Sequence, residues 1–161
     1  MTQHSTAEAF WRFSLLVYGR PGVAEALLAL QDRSGHNVNL ILYALWQGVC
    51  RPAPLDAPAL VNAKAAIEKL DREVVLPLRR MRGALKDDPD PDARDLRRRV
   101  LALEIAAERR LQARLALPRP SGAEADGRTR REIAEANLRL ILGQDFDSND
   151  AMPLRQMLAE A

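Results

Sequence analysis

The sequence predicts an all-α fold: a single-domain bundle of six to seven helices. Three observations carry this. Apolar residues recur at three- and four-residue steps almost throughout, and no segment sustains the two-residue alternation of a strand. Glycine, proline and the capping residues Ser, Thr, Asp and Asn punctuate that pattern at helix-length intervals. Apolar residues also make up 47% of the 161 residues, which suits a real core and argues against general disorder.

The first helix is expected over about 5–18, opened by a capping box from Ser5 to Glu8 in "STAE" and stopped by Gly19. Pro21 of "RPG" is expected to open a second helix that stops at Gly35. A third follows at once, over about 37–49, with Asn37 at its N-cap. The stretch "LQDRSGHNVNLILYALWQGVC" (30–50) therefore holds a polar knot running into eleven residues whose one polar side chain is Gln47. That knot reads first as a junction between two helices, because turns and caps need these residue types to satisfy the backbone. Asp32 is expected to lie near the free N–H groups of the third helix through the tight turn. The third helix is apolar on all sides and so should be central and surrounded, with Trp46 buried.

A fourth helix should begin near Asp56 or Pro58 and reach about 86, with a core stripe of Leu60, Ala63, Ile67, Leu70, Val74, Leu78, Met81 and Leu85. Pro77 removes one backbone bond and clashes with the carbonyl of residue 73, so a kink or a split is expected there. "DDPDPD" (87–92) breaks the chain, and its acids suit the start of a fifth helix over about 93–115. That helix carries one strip of Leu96, Val100, Leu103, Ala107 and Leu111 and a second of Leu101 and Ile105. Two strips imply two neighbours, or one neighbour and a partner chain. "PRPSGAEADG" (118–127) is a flexible loop by composition, and a sixth helix runs over about 129–142 to Gly143. The bundle domain is placed at 1–143, with 144–161 as a tail that holds a short helix after Pro153.

Composition narrows the setting. Six of the seven aromatics fall in the first 46 residues, so the best packing is expected there. The single cysteine, Cys50, forms no internal disulfide; it reads as a small core residue in a reducing compartment. The N-terminus shows no basic stretch leading into a long apolar one, and no apolar run approaches a membrane span. Cytoplasm is the expected location, with no membrane partner.

Little in the chain looks like chemistry. His4 and His36 belong to no ligand pair, and no metal or cofactor is expected. "DFDSND" (145–150) imitates a calcium loop at Asp145, Asp147 and Asn149. It then places Asp150 where glycine is needed and Gln156 where a bidentate Glu is needed. No nucleophile elbow and no phosphate-cradling glycine loop occur. Glu104 and Glu108 lie one helical turn apart on a half-buried border, as an acid–base pair would, but the commoner reading is ion pairing with Arg79, Arg80 or Arg82.

Charge is segregated: residues 72–131 hold 16 Arg/Lys against 10 Asp/Glu, residues 132–161 two against six. Arg79, Arg80, Arg82, Arg97, Arg98, Arg99, Arg109 and Arg110 could track phosphates. No aromatics interleave with them to stack bases, so a solvated Arg-rich face is preferred.

Three stretches, "LQDRSGHNVNLILYALW", "VVLPLRRMRGALK" and "ALEIAAERRLQ", together resemble a family of short, mainly proteobacterial, conserved hypothetical proteins defined only as a domain of unknown function. The resemblance spans roughly 8–142. Its most specific part is an acid, a glycine and then "VNL" leading into an aromatic-ended helix, met by Asp32, Gly35, Val38, Asn39, Leu40 and Trp46. Asn37 stands where an acidic residue is expected. The resemblance implies a helical domain and brings no activity, cofactor or catalytic residue.

Three functions are carried forward. The leading one is a small helical protein that binds another protein, or itself as a homodimer, through Leu101 and Ile105 flanked by Arg98 and Arg109. The alternatives are a nucleic-acid binder using the arginines above, and a ligand-binding or catalytic bundle using Asp32, Asn39, Glu104 and Glu108.

Overall fold

Asn37 opens the central helix as its residue type predicts: its side-chain oxygen accepts from the N–H groups of Asn39 (2.9 Å) and Leu40 (3.3 Å). The computed structural model describes residues 3–117 and 127–160, with side chains described from Thr6 onward, so the predicted loop lies outside the described residues apart from Gly127. Among them the chain is all-α. The helices are α1 (Gln3–Tyr18), α2 (Val23–Ser34), α3 (Val38–Val49), α4 (Ala57–Leu70), α5 (Leu76–Ala84), α6 (Pro91–Ala116), α7 (Arg130–Leu142) and α8 (Met152–Ala159). A π turn, Asp71–Val75, makes α4 and α5 continuous, and a 3-10 turn, Gly143–Asp147, follows α7.

Helix α3 is enclosed: Val38 through Gly48 are all buried, as its unbroken apolarity requires. Helix α7 packs on it most extensively, at a crossing close enough that a Cβ on Gly48 would lie 2.3 Å from the Ala134 Cα. Asn137 of α7 fastens the chain beyond α3, donating to the carbonyls of Ala44 (3.2 Å) and Ala53 (3.0 Å) and accepting from the Leu55 N–H (2.7 Å). The C-terminal elements share this core, with Phe146, Ala151, Leu154 and Leu158 buried and α8 packed on α2 and α7. No single helix among the described residues is long and apolar enough to cross a membrane, and the apolar pair α1–α2 bends by 99° at its junction.

Several expectations need correction. Helix α1 is already formed at Gln3, the first described residue, so a cap at Ser5 does not open it. Pro21 does not open α2; Gly22 stands at its N-cap with φ 72°, a conformation that favours glycine, and places Pro21 in the preceding turn. Gly35 does end α2 in the left-handed region at φ 72°, but Asp32 is exposed, with its side chain in contact with Gln31 only, and Asn37 alone caps α3. Cys50 is exposed, at the position where α3 ends.

Pro77 neither breaks nor splits the helix. The π turn absorbs it: the Leu76 N–H bonds back five residues to the Asp71 carbonyl, which adds one residue to the turn just before the proline. The inserted residue rotates everything beyond it. Val75 is buried where Val74 was expected, Val74 and Met81 are exposed, and Arg79 and Arg82 turn inward. Helix α6 also departs from its predicted stripe, without any such turn: Leu96 and Leu103 are exposed, and Glu104 and Gln112 are buried.

Gln47 is the anomaly of the core. Its side-chain amide is fully buried, and among the described residues neither its oxygen nor its nitrogen has a hydrogen-bond partner; Tyr43, one turn earlier, faces it without closing a bond of proper geometry. A buried amide left unpaired costs about 1–3 kcal/mol. Gln47→Leu is therefore expected to raise the unfolding free energy by roughly 1–2 kcal/mol in urea denaturation, whereas a loss of stability would show that the amide is satisfied.

Candidate functional site

The rotation produced by the π turn creates the main charged cluster. On one face of the α4–α5 rod, Asp71, Val75, Arg79 and Arg82 point toward α3 and α6 instead of the apolar residues predicted there. Arg79 donates to Gln31 Oε1 (2.7 Å) and Glu108 Oε1 (2.8 Å), and its Nε lies 3.6 Å from Glu104. Arg82 grips both oxygens of Glu104, through Nε at 2.5 Å and Nη2 at 3.1 Å. Glu104 is only 4% exposed, and two guanidiniums are what make its charge tolerable there.

Burial pushes the Glu108 carboxyl above the ordinary range, with Arg79 opposing it, while the bond from Glu104 pushes the Arg82 guanidinium up. Tyr18, across from Glu108, is pushed up to about 12, by burial first and by that carboxylate second. Both glutamates are thus committed to guanidiniums; Arg80 is exposed and takes no part.

A second polar line runs through the core beside this cluster. The Ser14 hydroxyl donates to Gln112 Oε1 (3.0 Å), with the Phe10 carbonyl at 3.1 Å as an alternative acceptor, and Gln112 Nε2 donates to Asn39 Oδ1 (2.9 Å). These bonds tie α1, α6 and α3 together and fix the Asn39 side chain.

At the α2–α3 junction the polar knot borders two adjoining clefts, of about 220 and 250 Å³. They share Gly35, His36, Asn37 and Asp71 as walls. The smaller extends to Gln31, Asn39, Leu76 and Arg79, the larger to Leu40, Lys64, Ile67, Glu68 and Ile141. Of the four predicted pocket residues only Asn39 reaches a cleft; Glu104 and Glu108 are not among the lining residues, and Asp32 faces solvent. The junction is a set of caps and also the rim of a cavity.

Residues missed in the sequence complete the rim. His36 Nε2 lies 2.8 Å from Asp145 Oδ2 of the 3-10 turn, and Arg33 reaches Asp150 at 2.9 Å. Asp147 pairs with Arg139 at 3.3 Å, so the acids of "DFDSND" face separate basic partners. No group of three or more His, Cys, Asp and Glu placed to hold a metal occurs among the described residues.

The eight arginines named for phosphate contact do not form one free surface. Arg79 and Arg82 are in the cluster, Arg98 and Arg99 hold Asp95, and Arg109 pairs with Glu8 beside the Trp11 ring. Among the described residues Arg80, Arg97 and Arg110 have no ion pair, and the buried Nε of Arg97 has no partner there. Leu101 and Ile105 are 38% and 43% exposed, on the opposite edge of α6's buried face from Leu96 and Leu103.

Fold and site define a helical domain built around one enclosed helix, with most of its buried charge paired internally. The chain belongs to the family described as Protein of unknown function (DUF2390), whose model matches residues 9–115. That span runs from α1 nearly to the end of α6 and stops short of the 142 expected from the resemblance. No curated protein and no solved structure matches the chain at a significant level.

Proposed function

We propose that the protein acts by binding another protein through the α5–α6 hairpin. The observation that supports this is the apolar edge of α6. Had α6 been sandwiched within the bundle, Leu101 and Ile105 would be buried; both stand open to solvent, as does Met81 on α5. No side chain of α5 is fully buried, so the outer surface of this hairpin lacks a cover of its own. Arg98 and Arg109 flank the strip, and residues 72–131 carry six more basic than acidic side chains. The complementary partner presents an apolar ridge bordered by acidic side chains, since charged rims set orientation and partner choice. The setting proposed is the cytoplasm, where the exposed thiol of Cys50 stays reduced.

The test is affinity capture from the native cell with the full chain and with Leu101→Asp/Ile105→Asp. Both positions are exposed, so the double variant is expected to fold with a shift within about 0.5 kcal/mol per site. It should lose a partner that the native chain retains, and the Arg98→Glu/Arg109→Glu chain should weaken capture of that partner. A folded double variant that keeps every partner removes the support for this surface. Concentration-dependent self-association abolished by the same changes would name a second copy as the occupant.

A further inference from the structure

Eight carboxylates among the described residues are at least partly buried, and seven of them touch a basic side chain: Glu8, Asp95, Glu104, Glu108, Glu135, Asp145 and Asp150. Asp71 is the eighth, and it has no such contact. It sits in the π turn, on the wall common to both clefts, with the Asn37 side chain facing its carboxylate. The Asn37 oxygen is engaged by the α3 backbone, so its amide nitrogen is the end that faces Asp71.

Arg79 is the guanidinium whose charge reaches Asp71, but its hydrogen bonds go to Gln31 and Glu108 and its Nε lies against Glu104. Lys64 stands exposed at the outer edge of the larger cleft, two helical turns away on α4, and makes no contact with Asp71. A half-buried carboxylate that feels Arg79 only at a distance and has no ion pair of its own is costly, and the cost is relieved when a cation enters.

The rest of the cavity indicates what kind of cation fits. Leu40, Ile67 and Ile141 give the larger cleft an apolar side, with Glu68 a second acid at its far end, and Leu76 lines the smaller one. Asn39, 4% exposed, lines the smaller cleft with its oxygen occupied by Gln112 and its amide nitrogen without a partner among the described residues. A charged head at Asp71, a short hydrocarbon body along the leucines and isoleucines, and a polar end within reach of Asn39 or Glu68 fill these features.

We infer that the paired clefts form a binding site for a small aliphatic ammonium or guanidinium compound, with Asp71 as the residue that holds its charge. The site is separate from the α6 surface, and neither reading depends on the other.

Calorimetric titration of the full chain with putrescine and with agmatine, beside the neutral isostere butane-1,4-diol, tests this. At least one of the two cations should bind saturably, and the diol should not. Asp71→Asn keeps the shape and an oxygen facing Asn37 and removes the charge, so it should fold normally and bind roughly tenfold or more weakly. Arg80→Ala, away from both clefts, should bind as the native chain does. Amide resonances of Gly35, His36 and Asn37 should shift on saturation. No saturable binding of either cation, or equal binding by the folded Asp71→Asn chain, overturns the site.

Discussion

Replacing Trp46 with alanine is expected to lower the unfolding free energy by about 3–5 kcal/mol, the range for removing a buried large aromatic. Trp46 is only 3% exposed at the centre of the molecule. Its ring stacks on Phe10, centroids 4.8 Å apart at 24°, and Phe10 meets Tyr43 edge-on at 6.2 Å. The Arg51 guanidinium covers the indole, 5.0 Å from its centroid. Truncation opens a cavity that neighbours cannot fill, because the residues around it belong to α1 and α3, each fixed elsewhere by the Ser14–Gln112–Asn39 bonds. Urea denaturation measures the loss; a value near zero would show that α3 is not the organising helix.

Gly48→Ala is expected to cost on the order of 2–3 kcal/mol, the upper part of the range for overpacking a core. The sign runs against helix propensity, which by itself favours alanine over glycine by about 1 kcal/mol. Sterics decide. The added Cβ would lie 2.3 Å from the Ala134 Cα and 2.5 Å from its backbone nitrogen, and backbone atoms cannot rotate away as a side-chain tip can. Helices α3 and α7 must then separate along their whole contact, straining the Asn137 bonds to Ala44 and Ala53. Gly83, helical but with open space where its Cβ would be, is the control: Gly83→Ala should be neutral or slightly stabilising. Equal effects of the two changes in thermal unfolding would remove the close α3–α7 approach from the account.

How much of this was legible depended on whether local pattern or tertiary contact decided each point. Helix α3 was legible as the centre because apolarity on every side leaves a helix no solvent face, and Asn37 and Gly35 were legible because a cap and a left-handed turn each demand particular residues. The α4–α5 register was not. A proline tells that the hydrogen-bond ladder is disturbed at residue 73, but whether the helix kinks, splits or takes in a π turn is settled by what packs against it. At Val74 and Met81 the predicted stripe is therefore one residue out, with Val75 and Arg82 on the inner side, while Leu78 and Leu85 stay partly buried as predicted. The inward faces of Arg79 and Arg82 were hidden by that single insertion.

In α6 the failure is different. Apolarity was read as burial, yet Leu96 and Leu103 face solvent while Glu104 and Gln112 lie inside, because partners on α5, α1 and α3 satisfy them. Ion pairing of Glu104 and Glu108 was readable from the nearby arginines. Asp71 was not, since what distinguishes it is the absence of a contact that nearly identical acids make.

The central functional claim concerns Leu101 and Ile105, and site-specific photocrosslinking in the native cell tests it most directly. A photoreactive phenylalanine analogue is placed at Ile105 in one chain and at Leu28, an exposed apolar position on α2, in another. A discrete adduct with another protein is expected from position 105, absent from position 28 and lost when Leu101→Asp is added. Adducts of equal yield at both positions, or none at 105 from a folded chain, would contradict it.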